Sequence, residues 1–206
     1  MKYIELNKNI FGKNQMPLLE QIGNVFFVFV VAVFIIFLAF SNTYSAIEVE
    51  GESMLPNFHH EDVVYYVKGE INYGDVVIVK TSDGTKIIKR VVGLPGDNIM
   101  FTQDDNGNYR LCRNGIAIKE DYILSVAGNQ NSFSSFNTHV LPLGKTSIAV
   151  GVNELFVLGD NRGISKDSTY HGCFNTEDVI GRVDYSVSKD DVPFLSLFQQ
   201  MFLPFI

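Results

Sequence analysis

Between Val25 and Phe40 no polar side chain interrupts the sequence. Counting from Ile22, that run would extend about 28 Å as one helix, the thickness of a bilayer core. Beyond it the pattern changes to short β-branched and aromatic runs, Val63-Val64-Tyr65-Tyr66-Val67, Val76-Val77-Ile78-Val79-Lys80 and Lys86-Ile87-Ile88-Lys89-Arg90-Val91-Val92. Gly69, Tyr73-Gly74-Asp75 and Ser82-Asp83-Gly84-Thr85 separate them, which predicts successive antiparallel strands. Asp83-Gly84 is a tight-turn pair, so the second and third runs should form a hairpin with Lys89 in mid-sheet. From 98 to 153 the chain becomes rich in Asn, Ser and Gly, with a turn at 104–108 and a polar loop at 128–137. This stretch reads as an inserted lobe without chemistry of its own. The core resumes at Glu154-Leu155-Phe156-Val157-Leu158 and closes through Val179-Ile180-Gly181-Arg182-Val183. The expected fold class is mainly β: an antiparallel β-sheet core with an inserted lobe, preceded by one transmembrane helix.

Charge orients the apolar run. Lys2, Lys8 and Lys13 precede it, against Glu5 and Glu20, whereas Glu48, Glu50, Glu52, Glu61 and Asp62 follow. The excess of lysine on the amino-terminal side predicts a cytoplasmic N-terminus (1–21), a single-pass anchor in the cell membrane (22–40) and an extracytoplasmic domain (41–191). A cleaved secretion signal is the alternative, but the run is long for one and Ser41-Asn42-Thr43-Tyr44-Ser45-Ala46 is a poor cleavage site. The stretch of about 165 residues after the anchor suits one compact domain. A formal charge of −7 and a pI near 5.0 leave no basic face for phosphates, which argues against nucleic acid as a partner. Cys112 and Cys173 are the only cysteines, without a metal-like spacing, and whether they pair is open at this level. The apolar 192–206 carries Phe194, Phe198 and Phe202 at helical spacing, and suits either an interfacial helix on lipid or a segment packed on the core.

Three segments carry candidate chemistry. Gly51-Glu52-Ser53-Met54-Leu55-Pro56 sets a serine in a bend, where Gly51 permits close backbone approach and Pro56 fixes the exit. A serine that attacks an amide needs a base for its proton and donors for the oxyanion. Lys89 is the first partner to consider, and it can serve only when neutral. Lowering its pKa from about 10.4 to about 8 would cost about 3 kcal/mol. Desolvation by Ile87, Ile88, Val91 and Val92 is the means at hand; a strand-edge lysine in water is the alternative. The third segment, Gly159-Asp160-Asn161-Arg162-Gly163-Ile164-Ser165-Lys166-Asp167-Ser168, concentrates hydroxyls, carboxylates and an amide directly after an apolar strand. It suits holding a lysine in place, or an ordinary polar turn.

In this order, and behind an anchor, the three segments resemble the type I signal peptidase family of membrane-bound serine/lysine peptidases, over the chain from the anchor to about Val183. The serine motif matches as Ser53-Met54 with Pro56, the lysine motif as Lys89-Arg90 with Gly93 and Pro95-Gly96-Asp97, and the third as Gly159-Asp160-Asn161-Arg162 with Ser165, Asp167 and Ser168. The resemblance implies Ser53 as nucleophile, Lys89 as general base, Ser165 as the hydroxyl that orients the amine, Gly159 as room for the lysine chain, and Asp160 and Asp167 as braces, with Asn161 in the same supporting loop. Gly51 and Met54 would border the oxyanion hole and cleft. It implies no metal or organic cofactor, membrane-inserted preproteins and the lipid bilayer as partners, and cleavage after small residues at the first and third positions before the scissile bond.

The chain departs from the family pattern at Thr169, where an arginine usually closes the third motif, and at Gly51, where some members carry a second oxyanion-hole hydroxyl. It has one anchor, as the shorter members do. Competing readings are a histidine-based hydrolase using His59, His60, His139 or His171, a relative of the self-cleaving repressors, an anchored binding or assembly protein with an inactive site, and a processing peptidase dedicated to a conjugation or pilus system. The anchor and the acidic charge oppose the repressors. The presence of both Ser53 and Lys89 opposes the inactive protein.

Overall fold

The computed structural model describes residues 18–103, 109–123 and 147–189. Helix α1, Leu18–Thr43, contains a stretch Leu18–Phe40 of mean hydropathy 2.9 with none of it buried, long and apolar enough to cross a membrane. A helix apolar on every face needs an apolar surrounding, which is consistent with a membrane-anchored protein. It forms one compact unit, divided after Thr43 from a second that holds every strand.

That second unit is built from two antiparallel sheets. The larger contains β1 (Ser45–Glu48), β2 (Val63–Val67), β3 (Val76–Lys80), β4 (Lys86–Gly93), β9 (Glu154–Leu158), β10 (Phe174–Asn175) and β11 (Val179–Val187), in the order β1-β2-β11-β3-β4-β9-β10. The smaller contains β5 (Asn98–Gln103), β6 (Tyr109–Arg113), β7 (Ile116–Ala117) and β8 (Ser147–Ala149), in the order β7-β6-β5-β8. The expected β3–β4 hairpin is present, with Val77 opposite Lys89 and Ile78 opposite Ile88. One expectation is corrected: β2 and β3 are not neighbours. The closing strand β11 lies between them and pairs with both, so chain closure ties the two halves of the sheet together.

Alternation explains why β3 is buried on both faces. On β3, Val76 and Ile78 join Val49, Met54, Val64 and Ile88 in one cluster, while Val77 and Val79 join Val91, Leu155, Val157 and Phe174 in another. A third cluster, with Val92, Phe156 and Leu158 of the large sheet against Ile99, Phe101 and Leu111 of the small one, seals the two together. The β4–β9 ladder runs only from Arg90 to Gly93, with a register shift between Val91 and Gly93. The stretch 86–89 therefore has no ladder partner on that side among the described residues.

Both cysteines are free. Cys112 is buried in β6, and burial pushes the Cys173 thiol up to about 11. Of the expected inserted lobe, 104–108 and 124–146 lie outside the described residues, as do 1–17 and the apolar segment from 190 onward.

Candidate active site

Between β1 and β2 the chain folds into consecutive turns closed by Leu55 N–H to Glu52 C=O (3.2 Å), Asn57 N–H to Met54 C=O (3.0 Å) and Phe58 N–H to Met54 C=O (3.1 Å). Gly51 enters them at φ +81°, a left-handed conformation that glycine adopts without a Cβ penalty. Met54, 1% exposed, drops into the cluster with Val64, Ile78 and Ile88 and pins the turn to the sheet. Its neighbour Ser53 lines the cleft above.

The cleft, about 580 Å³, lies between 47–50 at the exit of β1 and 85–89 at the start of β4, with Ser53, Met54, Ile164 and Lys166 completing its lining. Lys89 is 3% exposed. Its Nζ donates to Ser53 Oγ at 2.7 Å and to the Ile88 carbonyl at 2.7 Å. Burial lowers its pKa from an ordinary 10.5 to about 8; Asp167 and Asp160 act in the opposite sense and keep it from falling further.

The loop after β9 supports this pair from behind. Asn161 N–H donates to the Ser53 carbonyl (3.0 Å) and its Nδ2 to the Glu52 carbonyl (3.1 Å), tying the loop to the serine turn. Asp160, 1% exposed, accepts from Arg90 Nε (2.8 Å) and Nη2 (2.6 Å) and from Asn57 Nδ2 (2.8 Å). Asp167 accepts from Gly159 N–H (2.9 Å), Thr169 N–H (3.0 Å) and Thr169 Oγ1 (2.7 Å). At the position where the family pattern has arginine, a neutral hydroxyl thus satisfies the buried carboxylate, while Arg90 supplies the site's ion pair to Asp160.

Ser165 and Gly159, both given roles by the resemblance, lie against each other. Ser165 Oγ is buried without a hydrogen-bond partner, and the Ile88 carbonyl, with Ser53, holds the lysine amine instead. A Cβ added at Gly159 would run into the Ser165 side chain and lie 2.6 Å from the Ser53 carbonyl oxygen. Gly159→Ala should therefore force the loop off the serine turn. Its expected cost is about 2 kcal/mol of stability from overpacking, together with loss of most activity. Thermal unfolding beside a cleavage assay checks this; a variant with native stability and rate would show that the loop yields freely.

No described histidine bonds to Ser53. His59 faces Asp62, and His60 Nδ1 lies 3.3 Å from Gly51 N and 3.2 Å from the Val49 carbonyl; His139 is outside the described residues. The supporting residues that sequence reasoning passed over are Arg90, quoted only as part of a motif, and Asn57, Glu120 and Tyr122. Glu120 pairs with Arg162, and Tyr122 stacks beneath Arg90. These last two come from the middle stretch, which by sequence reads as lacking chemistry of its own and here supplies supporting contacts.

A family model described as signal peptidase, peptidase S26, matches residues 21–188. Signal peptidase I of Streptococcus pneumoniae serotype 4 is 29% identical over 69% of this chain and 81% of its own length. Signal peptidase I S of Bacillus subtilis strain 168 is 30% identical over 74% of this chain and 81% of its own. A crystal structure of a signal peptidase I from Enterococcus faecalis V583 aligns with a TM-score of 0.44 at 27% identity, covering 56% of this chain and 97% of that one.

Proposed function

The chain belongs to the signal peptidase family, peptidase S26, and on that premise we propose that it removes signal peptides from exported preproteins with Ser53 as nucleophile and neutral Lys89 as general base. The observation that carries this reading is the 2.7 Å contact between a hydroxyl at the cleft and a buried amine whose pKa burial has lowered. As Ser53 Oγ attacks the scissile carbonyl, its proton passes to Lys89 Nζ. Collapse of the tetrahedral intermediate delivers that proton to the departing amine and leaves the signal peptide as an ester on Ser53. Neutral Lys89 then deprotonates a water that attacks the ester, and the proton returns to Ser53 as it leaves. Backbone N–H groups of the serine turn receive the oxyanion, since Gly51 offers no hydroxyl.

The substrate is an extended segment of a membrane-inserted preprotein. The stretch 86–89 of β4, paired with β3 on one side and without a ladder partner on the β9 side among the described residues, faces 47–50 across the cleft, and a strand added on that open side extends the sheet. Small residues at the first and third positions before the bond suit a floor already filled by Met54 and Ile88. With α1 as a single-pass anchor and the amino-terminal lysines in the cytoplasm, the sheet domain works at the outer face of the membrane.

The rate should follow the neutral fraction of Lys89. At a pKa of about 8, only about a tenth of the amine is neutral at pH 7, so kcat/KM rises through pH 8 and levels above it. A pH–rate profile on a preprotein in detergent tests the proposal. An acid limb in the range of ordinary histidine, between about 6 and 7, would point to a different base.

A further inference from the structure

Behind the catalytic pair lies a buried charged cluster whose acid comes from the segment following β7 of the small sheet. Glu120 and Arg162 are each only 6% exposed at their side chains and meet through two contacts, Nη2 to Oε1 at 2.5 Å and Nη1 to Oε2 at 3.2 Å. The same guanidinium donates from Nε to the Gly159 carbonyl at 2.8 Å, bracing the loop that carries Gly159, Asp160 and Asn161. Tyr122 donates its hydroxyl to Glu120 at 2.8 Å, and its carbonyl accepts from Asn57 Nδ2 at 2.7 Å. Asn57 belongs to the serine turn and also donates to Asp160. The Tyr122 ring lies 4.3 Å from the Arg90 guanidinium, on the strand position next to Lys89, and 5.9 Å from that of Arg162. One short segment therefore touches all three parts of the site: the serine turn, the lysine strand and the loop after β9.

We infer that Glu120 and Tyr122 are positioning residues, a strut from the middle lobe that sets the loop after β9 and the serine turn against Lys89. Neither side chain reaches the cleft lining, so they act through Arg162, Asn57 and Arg90 rather than on the substrate. Stability alone would be served as well by an apolar filling, because buried ion pairs seldom outdo hydrophobic packing. The directional bonds to Gly159 and Asn57 are what an apolar filling cannot supply.

The test rests on the peptidase reading and is arranged to fail separately from it. Glu120→Gln keeps shape and removes the charge; Tyr122→Phe removes only the hydroxyl. In folded protein, Glu120→Gln should lower kcat by about 10²-fold through misplacement of the reacting groups, with KM changed less than about twofold. Adding Arg162→Gln to it should cost less than the two single losses combined, since they share one ion pair; what it adds is the loss of the Arg162 bond to the Gly159 carbonyl. A second readout needs no cleavage: titration of the Lys89 Cε resonance by NMR. Lys89 is faced by Asp160 and Asp167, and Arg162 is coupled to Asp167. Unpairing Arg162 should move the Lys89 titration to lower pH in Glu120→Gln. If Glu120→Gln fails to fold, Tyr122→Phe carries the test, with an expected loss of about tenfold in kcat. Variants with wild-type kcat and an unmoved Lys89 titration would overturn the inference. A wild type that never cleaves while the Lys89 titration still moves would overturn the peptidase reading and leave the strut standing.

Discussion

Lys89→Met should lose cleavage by roughly 10⁴-fold, the upper range for removal of a general base, while the fold survives and gains stability at neutral pH. Lys89 is nearly enclosed, and methionine fills a similar volume without a charge. In wild type the folded-state pKa is about 8 against an ordinary 10.5. Below pH 8 both folded and unfolded chains carry the proton, and the folded state bears the full cost of a buried ammonium. Between about pH 8 and 10.5 the unfolded chain holds a proton that the folded one lacks, so wild-type stability rises by about 3 kcal/mol across that window. The methionine variant lacks this rise and should be the more stable protein at pH 7. Chemical denaturation in detergent at pH 7 and at pH 10, beside the cleavage assay, reads both effects. A variant that still cuts at a substantial rate, or one destabilised at pH 7, would contradict the account of a desolvated amine serving as base.

Ser53→Ala should be still more damaging, with a loss on the order of 10⁶-fold, as when a nucleophile is removed from a unit that acts as a whole. The substitution leaves the backbone roles of residue 53 intact. Its carbonyl still accepts from Asn161 N–H, so the loop stays docked on the serine turn. The side chain of Met54 still anchors that turn in the core. Substrate should therefore bind with an affinity within about threefold of wild type and remain uncut, because an oxygen has been removed from the cleft rather than a wall of it. Binding of an uncleaved preprotein to Ser53→Ala, measured beside its single-turnover rate, separates loss of chemistry from loss of the site. Weak binding would mean that Ser53 shapes the cleft rather than attacks within it.

What the sequence showed of the fold was its local part. β2, β3 and β4 begin and end where their β-branched runs and glycine turns place them, and the Asp83-Gly84 turn sets the register that puts Lys89 opposite Val77. The insertion of β11 between β2 and β3 was not legible, because it joins residues a hundred or more positions apart and no short-range signal specifies it. In the site, Ser53 and Lys89 stood out by motif, and they prove to be in contact. The detail around them depends on side-chain direction. Ser165 lies against Gly159 without a partner, and a backbone carbonyl holds the amine, which no residue pattern encodes. Thr169, standing where an arginine usually closes the third motif, donates a hydrogen bond to Asp167, a contact that the motif alone does not specify. Glu120 sits in a polar stretch where an acid reads as surface; only the fold brings it to Arg162.

The most direct test of the central claim is cleavage of a preprotein by purified wild type, Ser53→Ala and Lys89→Met in detergent, with all three shown to be folded and the new N-terminus of each product identified by mass spectrometry. Wild type should release a mature protein cut after a small-any-small triplet, and neither variant should yield product above background. A wild type that releases no mature protein, or a product that persists at wild-type rate in either variant, would contradict the assignment of Ser53 and Lys89 as nucleophile and base.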